Sequence, residues 1–271
     1  MQNKSFIPEV FLGCLVMLTP LSVASEPVIV AHRGASADAP ENTLPAFELA
    51  WKQGADAIEG DFHLTKDKRI VCIHDKTTKR YCKTNLVVKD STLAELKRLD
   101  VGHQFAGQFK GTSIPTLKEV LAIVPSNKKI YIEIKCGAEI TPFLVKQIKS
   151  SSLSDSQIII ISFQAEVIRR IKEVAPQWKA YWLSSFRKDG NGQLVPTVQT
   201  VERTLKRLQA DGFSSSKDLI HQDFIKDILS KRFEYHVWTI DQPAVAKKFL
   251  KWGAQSITTN QPKTLREQIM K

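Results

Sequence analysis

From residue 28 onward, this 271-residue chain alternates short apolar runs with amphipathic stretches of helical period, eight times over. The apolar runs fall at 28–31, 57–64, 129–135, 157–162, 179–183, 212–215, 234–239 and 256–259. The helical stretches follow at 44–53, 117–124, 140–150, 166–175, 198–208, 222–231, 244–252 and 263–270. Runs of four to eight residues rich in Ile and Val read as strands covered on both faces, the signature of a parallel sheet wrapped by helices. Eight strand-then-helix units spread over about 245 residues predict an α/β fold, the (β/α)8 TIM barrel. A doubly wound open sheet is the competing architecture. It usually carries a glycine-rich first turn, whereas Gly34 stands without a dinucleotide fingerprint.

One segment breaks the alternation. Residues 66–115 hold a second short strand (70–74), a Lys- and Thr-rich turn region, a helix (92–99) and a loop ending at Pro115. This reads as an insertion on the second βα loop, packed over the barrel mouth, within a single domain spanning 25–271. Ahead of that domain, the run from Val10 to Ala24 is interrupted by Pro20 and falls short of the ~18 apolar residues a membrane helix needs. Lys4 before it and Ser22-Val23-Ala24 after it fit a signal peptide over 1–24, hence export to the periplasm or medium and no stable membrane span after cleavage. An uncleaved anchor is the other reading of the same stretch. Removing 1–24 takes away one Lys and one Glu, so the net charge of +11 survives. That balance favours anionic partners. No tract interleaves basic residues with aromatics, so nucleic acid is not expected as a partner. Cys72, Cys82 and Cys136 remain, an odd number without metal-type spacing, which argues against both a full disulfide framework and zinc.

The chemistry concentrates at strand ends. Val28-Ile-Val-Ala stops on His32 and Arg33, a titratable base beside a fixed cation, and Gly34 then supplies a turn. In Ile58-Glu59-Gly60-Asp61 the two carboxylates share one face of a strand. Glu133 and Lys135 share a face of the strand that a barrel places beside it, so three acids converge. Burying them is costly unless a cation compensates. Ion pairs with Arg33 or Lys135 would be one solution. One divalent cation, Mg²⁺ or Ca²⁺, held by oxygen ligands alone would be the other. A second histidine, His74, closes the run 70–73 and is followed by Asp75, which could orient its ring. Two histidines flanking a bound phosphate would supply general acid and general base, without the sequence saying which is which. His63, His103, His221 and His236 lack such a setting and read as structural or surface. Thr43 or Asn42 can cap the helix that Pro45 opens, and Glu41 could hold Arg33 or a histidine in place.

Together these segments resemble the glycerophosphodiester phosphodiesterases. The motifs are His-Arg-Gly (32–34), Pro-Glu-Asn-Thr (40–43), Gly-Ala-Asp-Ala-Ile-Glu-Gly-Asp (54–61), Thr-Lys-Asp (65–67), His-Asp (74–75), Ile-Pro-Thr-Leu-Lys-Glu-Val-Leu (114–121), Ile-Glu-Ile-Lys (132–135) and Trp-Thr-Ile-Asp (238–241). They occur in the family's order across nearly all of the chain after residue 24. The resemblance implies a TIM barrel with a small insertion after the second strand. It also implies hydrolysis of a small-molecule glycerophosphodiester, such as glycerophosphocholine or glycerophosphoethanolamine, to an alcohol and sn-glycerol 3-phosphate. The family's metal ligands would fall on Glu59, Asp61 and Glu133, its catalytic histidines on His32 and His74, and its phosphate contacts on Arg33 and Lys135. Glu41 matches the motif acid, Ser162 falls near the mouth, and Trp238 would line the glycerol pocket. Two positions depart from the pattern: Asn260 stands where an acid is usual, and Asp241 where Asn is usual. Asn260 is expected to cap the last helix, and neither is expected to touch the carboxylate–histidine set. Alternatives are a lysophospholipase D or sphingomyelinase D type activity, with Phe105, Phe109, Trp182 and Phe186 as material for an apolar groove, and a non-catalytic anion-binding barrel.

Overall fold

A computed structural model describes residues 27–269 except Ala106. The expected signal peptide, and with it Cys14, lies outside those residues. Eight parallel strands form the barrel: β1 (Val28–His32), β2 (Ala57–Leu64), β4 (Lys129–Ile134), β5 (Ile158–Ser162), β6 (Lys179–Ser184), β9 (Gly212–Ser216), β10 (Glu234–Trp238) and β11 (Ser256–Thr259). Each pairs with its neighbour in sequence, and β1 pairs with both β2 and β11, which closes the ring. Closure matters chemically, because it brings residues from the two ends of the chain side by side. The last residues paired between β1 and β11 are Ala31 and Thr259, so His32 and Asn260 follow side by side.

The wrapping helices are α1 (Leu44–Lys52), α3 (Leu117–Ala122), α4 (Thr141–Lys149), α5 (Ala165–Val174), α6 (Val198–Leu208), α7 (Gln222–Ser230), α8 (Pro243–Lys251) and α9 (Pro262–Ile269). The main core is the sleeve between strands and helices, and includes Ile29, Phe47, Ile58, Ile132, Ile160, Phe213 and Ile257. Alternate strand residues point inward instead. Val30, Ala57, Tyr131, Ile159, Ile161, Tyr181 and Leu183 fill the barrel's centre. Local signals agree with the boundaries. Thr43 caps α1 by accepting from the Ala46 amide at 3.4 Å, with Pro45 in the first turn. A reciprocal Thr116–Glu119 capping box starts α3.

Between β2 and α3 the chain makes the excursion that interrupts the alternation. Its strand β3 is shorter than expected (Ile70–Cys72), pairs antiparallel with the end of β2, and leaves His74 on the following turn. Its helix α2 spans Leu93–Lys97 and begins with a Thr92–Glu95 capping box. Val71, Ile73, Tyr81, Val88, Leu96 and Ile114 give the excursion a small core of its own. A two-stranded ribbon of β7 (Arg187–Lys188) and β8 (Leu194–Val195) after β6 has no counterpart in the sequence reading. Its strands are two residues long, too short for any periodicity to register. No helix among the described residues is long and apolar enough to cross a membrane.

Candidate active site

The C-terminal ends of β1, β2 and β4 converge at the face of the barrel where the βα loops gather, the face at which TIM barrels carry their chemistry. Parallel register sets Asp61 of β2 opposite Glu133 of β4, and His32 of β1 opposite Glu59 of β2. Glu59, Asp61 and Glu133 are all buried, and ligand oxygens drawn one from each lie within 4.8 Å of one another.

Cations from two directions meet this cluster. The Arg33 amide donates to Glu59 Oε2 at 2.9 Å, and Arg33 Nε lies 3.1 Å from Asp61 Oδ2. Lys135 Nζ donates to Glu133 Oε1 at 2.7 Å and stands 3.5 Å from Asp61. Ion pairing therefore does occur, but two cations do not satisfy three acids. Among the described residues, buried Glu59 Oε1 has no hydrogen-bond partner. Burial, followed by repulsion from Asp61 and Glu133, raises the Glu59 carboxyl well above its ordinary range. Burial and the charge of Asp61 push Glu133 up to about 7. Burial opposes charge on Asp61 as well, but Arg33 and Lys135 overcome it and hold that carboxylate low. An orphaned acceptor among oxygen-only donors is the arrangement a hard divalent cation fits.

The first βα loop braces the cluster. Arg33 and Gly34 both adopt positive φ, and a Cβ on Gly34 would sit 2.6 Å from the Ala46 backbone, so only glycine permits this loop to lie against α1. Glu41 accepts from Arg33 Nη1 at 3.1 Å, as anticipated. Asn42 does more than sequence reasoning assigned to it. Its side-chain amide donates to Asp61 Oδ2 at 2.8 Å, and its oxygen accepts from the Asp61 amide at 3.0 Å. The capping oxygen on Thr43 leaves Asn42 free for that task.

The two histidines have different supports. His74 Nδ1 lies 2.7 Å from Asp75 Oδ1. Hydrogen bonding from Arg80 leads the effects that hold Asp75 down at about 2. Arg80 also bridges to Glu41, linking the excursion to the first loop. Below, buried His63 pairs through Nε2 with the His74 carbonyl at 3.1 Å, so its role is structural, as expected. His32 Nδ1 instead lies 2.8 Å from Oδ1 of Asn260. Burial, then the charge of Arg33, lowers the His32 pKa.

That contact overturns one expectation. Asn260 does reach the histidine set, with Asp241 behind it, and the Asn260 side chain is engaged there rather than in capping α9. The signal was available: in a closed barrel the residue ending the last strand must stand beside the residue ending the first. Other expected residues divide. Trp238 sits half-buried at the end of β10, edge-to-face with Phe163 at 5.6 Å, and Phe163 is 44% exposed beside Lys135. Ser162 is buried with its hydroxyl donated to the Ile134 carbonyl, so it ties strands together. Phe186 is buried, which removes it from any groove; Trp182 is part-buried and packs on Phe213, while Phe105 is exposed and pairs with Phe109. Cys72, Cys82 and Cys136 are free thiols.

Similarity to known proteins points the same way as the geometry. The sequence profile of the Glycerophosphoryl diester phosphodiesterase family matches residues 32–264. A glycerophosphodiester phosphodiesterase of Caldanaerobacter subterraneus is 34% identical over 88% of this chain and 96% of its own length. A Bacillus subtilis enzyme of the same name is 30% identical over 91% of this chain and 90% of its own. Among solved structures, an Oleispira antarctica phosphodiesterase in complex with the product sn-glycerol-3-phosphate superposes with a TM-score of 0.82. That match has 25% identity and covers 90% of this chain and 97% of the other.

Proposed function

The chain belongs to the Glycerophosphoryl diester phosphodiesterase family, and on that premise we propose that it hydrolyses glycerophosphodiesters to an alcohol and sn-glycerol 3-phosphate, using a divalent cation and two histidines. The observation that carries this reading is the buried, incompletely neutralised triad Glu59, Asp61 and Glu133, with His32 opposite Glu59 in register and His74 just beyond the end of β3. The triad would hold Mg²⁺ or Ca²⁺, which when bound supplies Lewis-acid polarisation of a phosphoryl oxygen. Arg33 and Lys135, already drawn to the rim by the acids, offset the remaining phosphate charge. One histidine takes a proton from the nucleophile and the other gives one to the departing alkoxide. The nucleophile in this proposal is the glycerol 2-hydroxyl, giving a cyclic phosphate that the same pair then opens with water by exchanging roles. Trp238 and Phe163 offer an aromatic wall for the glycerol moiety.

The deciding assay is release of glycerol 3-phosphate from glycerophosphocholine, with and without chelator. Release that stops on chelation and returns with Mg²⁺ or Ca²⁺ is expected. Release unaffected by chelator would remove the cation, and no release would remove the activity. Exposed Phe105 and Phe163 at the mouth keep a lysophospholipase D reading open to test, so the same assay on lysophosphatidylcholine is expected to be slower. Export through residues 1–24 belongs to the same proposal, and N-terminal sequencing of secreted protein checks it.

A further inference from the structure

We propose that Asn260 and Asp241 form a positioning relay that fixes the proton of His32 on Nδ1 and so makes His32 the group that accepts the nucleophile's proton; this rests on the hydrolytic reading above. Asp241 follows β10 and Asn260 follows β11, so the two meet across adjacent strand ends. One carboxylate oxygen, Oδ1, accepts from the Thr259 hydroxyl at 2.9 Å and from the Asn260 amide nitrogen at 2.8 Å. The other, Oδ2, accepts from the Asn260 side-chain amide at 2.8 Å.

The logic is one of donors and acceptors. A carboxylate can only accept, so the Asn260 atom facing Asp241 must be the NH₂ group. Its Oδ1 therefore turns toward His32. An amide oxygen can also only accept, so the His32 nitrogen 2.8 Å away must carry hydrogen. The Ser36 hydroxyl is 2.9 Å from the same oxygen and 2.7 Å from the His32 carbonyl, and holds loop and amide in one arrangement. With Nδ1–H committed, Nε2 is the ring atom left to substrate, and it presents a lone pair. In the reaction the proton from the nucleophile adds to Nε2, the Nδ1–H bond stays on Asn260, and the ring passes from neutral to cationic. His74 is then the donor to the alkoxide, backed by the carboxylate of Asp75. Asn260 does not touch substrate; it acts through the histidine.

Two measurements test the relay. In the resting enzyme with selectively ¹⁵N-labelled histidine, the His32 ring, assigned by its loss in His32→Gln, is expected to show hydrogen on Nδ1 and a free Nε2. Asn260→Leu is expected to give a mixed tautomer, a kcat lower by about 10- to 100-fold and a KM within about threefold of the parent. A predominant Nε2–H tautomer in the parent protein would overturn the proposal. The second measurement is a reciprocal exchange. Asp241→Asn and Asn260→Asp are each expected to lower kcat by about tenfold or more, because one pairs two amides and the other two carboxylates. The double variant, which restores an amide–carboxylate pair, is expected to recover to within about threefold. Recovery no better than the weaker single variant would sink the relay. The tautomer is read without substrate, so it stands or falls apart from the proposed activity.

Discussion

Two clusters of charge lie at opposite ends of the same barrel, one part-exposed and one buried, and they are built on opposite terms. At the N-terminal end of the strands, Glu234 is met by Lys179 Nζ and Tyr181 Oη, each at 2.6 Å. His236 stacks on Tyr181 at 4.1 Å, its Nδ1 lies 2.8 Å from the Ser256 hydroxyl, and its Nε2 is 3.6 Å from Glu234. Asp211 binds Lys172 at 3.0 Å alongside. Glu234 and Asp211 there are each met by more than one donor. At the other end, three acids share two cations and an acceptor is left over. The first arrangement stabilises the fold; the second holds the acids in a repulsive state that a ligand can relieve. Charge at a barrel end is thus a stability device or a site according to whether its carboxylates are neutralised.

Substitutions at the two ends are expected to separate activity from stability. The largest effects belong to the open end: His32→Ala and His74→Ala should each lower turnover by about 10²–10⁴-fold with little change in Tm. Glu59→Gln should abolish activity and cation dependence together, while raising the Tm of the cation-free protein by about 2–4 °C, because a repelled carboxylate is removed. A fall in Tm on that change would mean that the triad is a structural salt bridge. Next in size, saturating Mg²⁺ or Ca²⁺ should raise Tm, with about 2.7 kcal/mol gained at a hundredfold excess over Kd. Calorimetry with and without chelator measures this, and Glu59→Gln should show almost no such shift.

At the closed end the signs reverse. Burial opposes the charge of Glu234, but His236 beside it and hydrogen bonds from Lys179 and Tyr181 overcome it and hold the carboxyl at about 2. A folded-state value below the unfolded one contributes stability that is present above about pH 4.5 and lost as pH falls toward 2. Glu234→Gln should therefore cost about 1–3 kcal/mol at neutral pH and flatten the acid limb of the stability curve. Denaturant titrations at pH 7 and pH 3 check it, with kcat expected within about twofold of the parent. The smallest effect is expected for Arg80→Ala. Its guanidinium bridges Asp75 and Glu41 but is 47% exposed, so the loss should stay under about 1 kcal/mol and about fivefold in kcat.

The barrel was legible because eight periods of strand and helix leave few other folds, and the triad because a two-residue spacing on a strand fixes a shared face. The excursion was legible as a break in the alternation, and its apolar residues pack into a small core of their own. What escaped was lateral. Asn42 reads as a cap in sequence, and only the approach of β2 shows that its amide serves Asp61. Asn260 and Asp241 look like isolated departures from a pattern until ring closure sets them beside each other and His32. Sequence spacing reports what shares a strand face; it is weaker at reporting which neighbouring strand end supplies the partner.

Ring closure also has a bearing on how the chain comes to work. His32 is among the earliest of these groups to be synthesised, and the amide that holds its ring is 228 positions later. A ribosome must therefore translate almost everything before the histidine is tethered. Fragments that stop short of β11 would keep every acid and both imidazoles yet lack the clasp, so hydrolysis doubles as a readout of whether the last strand has docked.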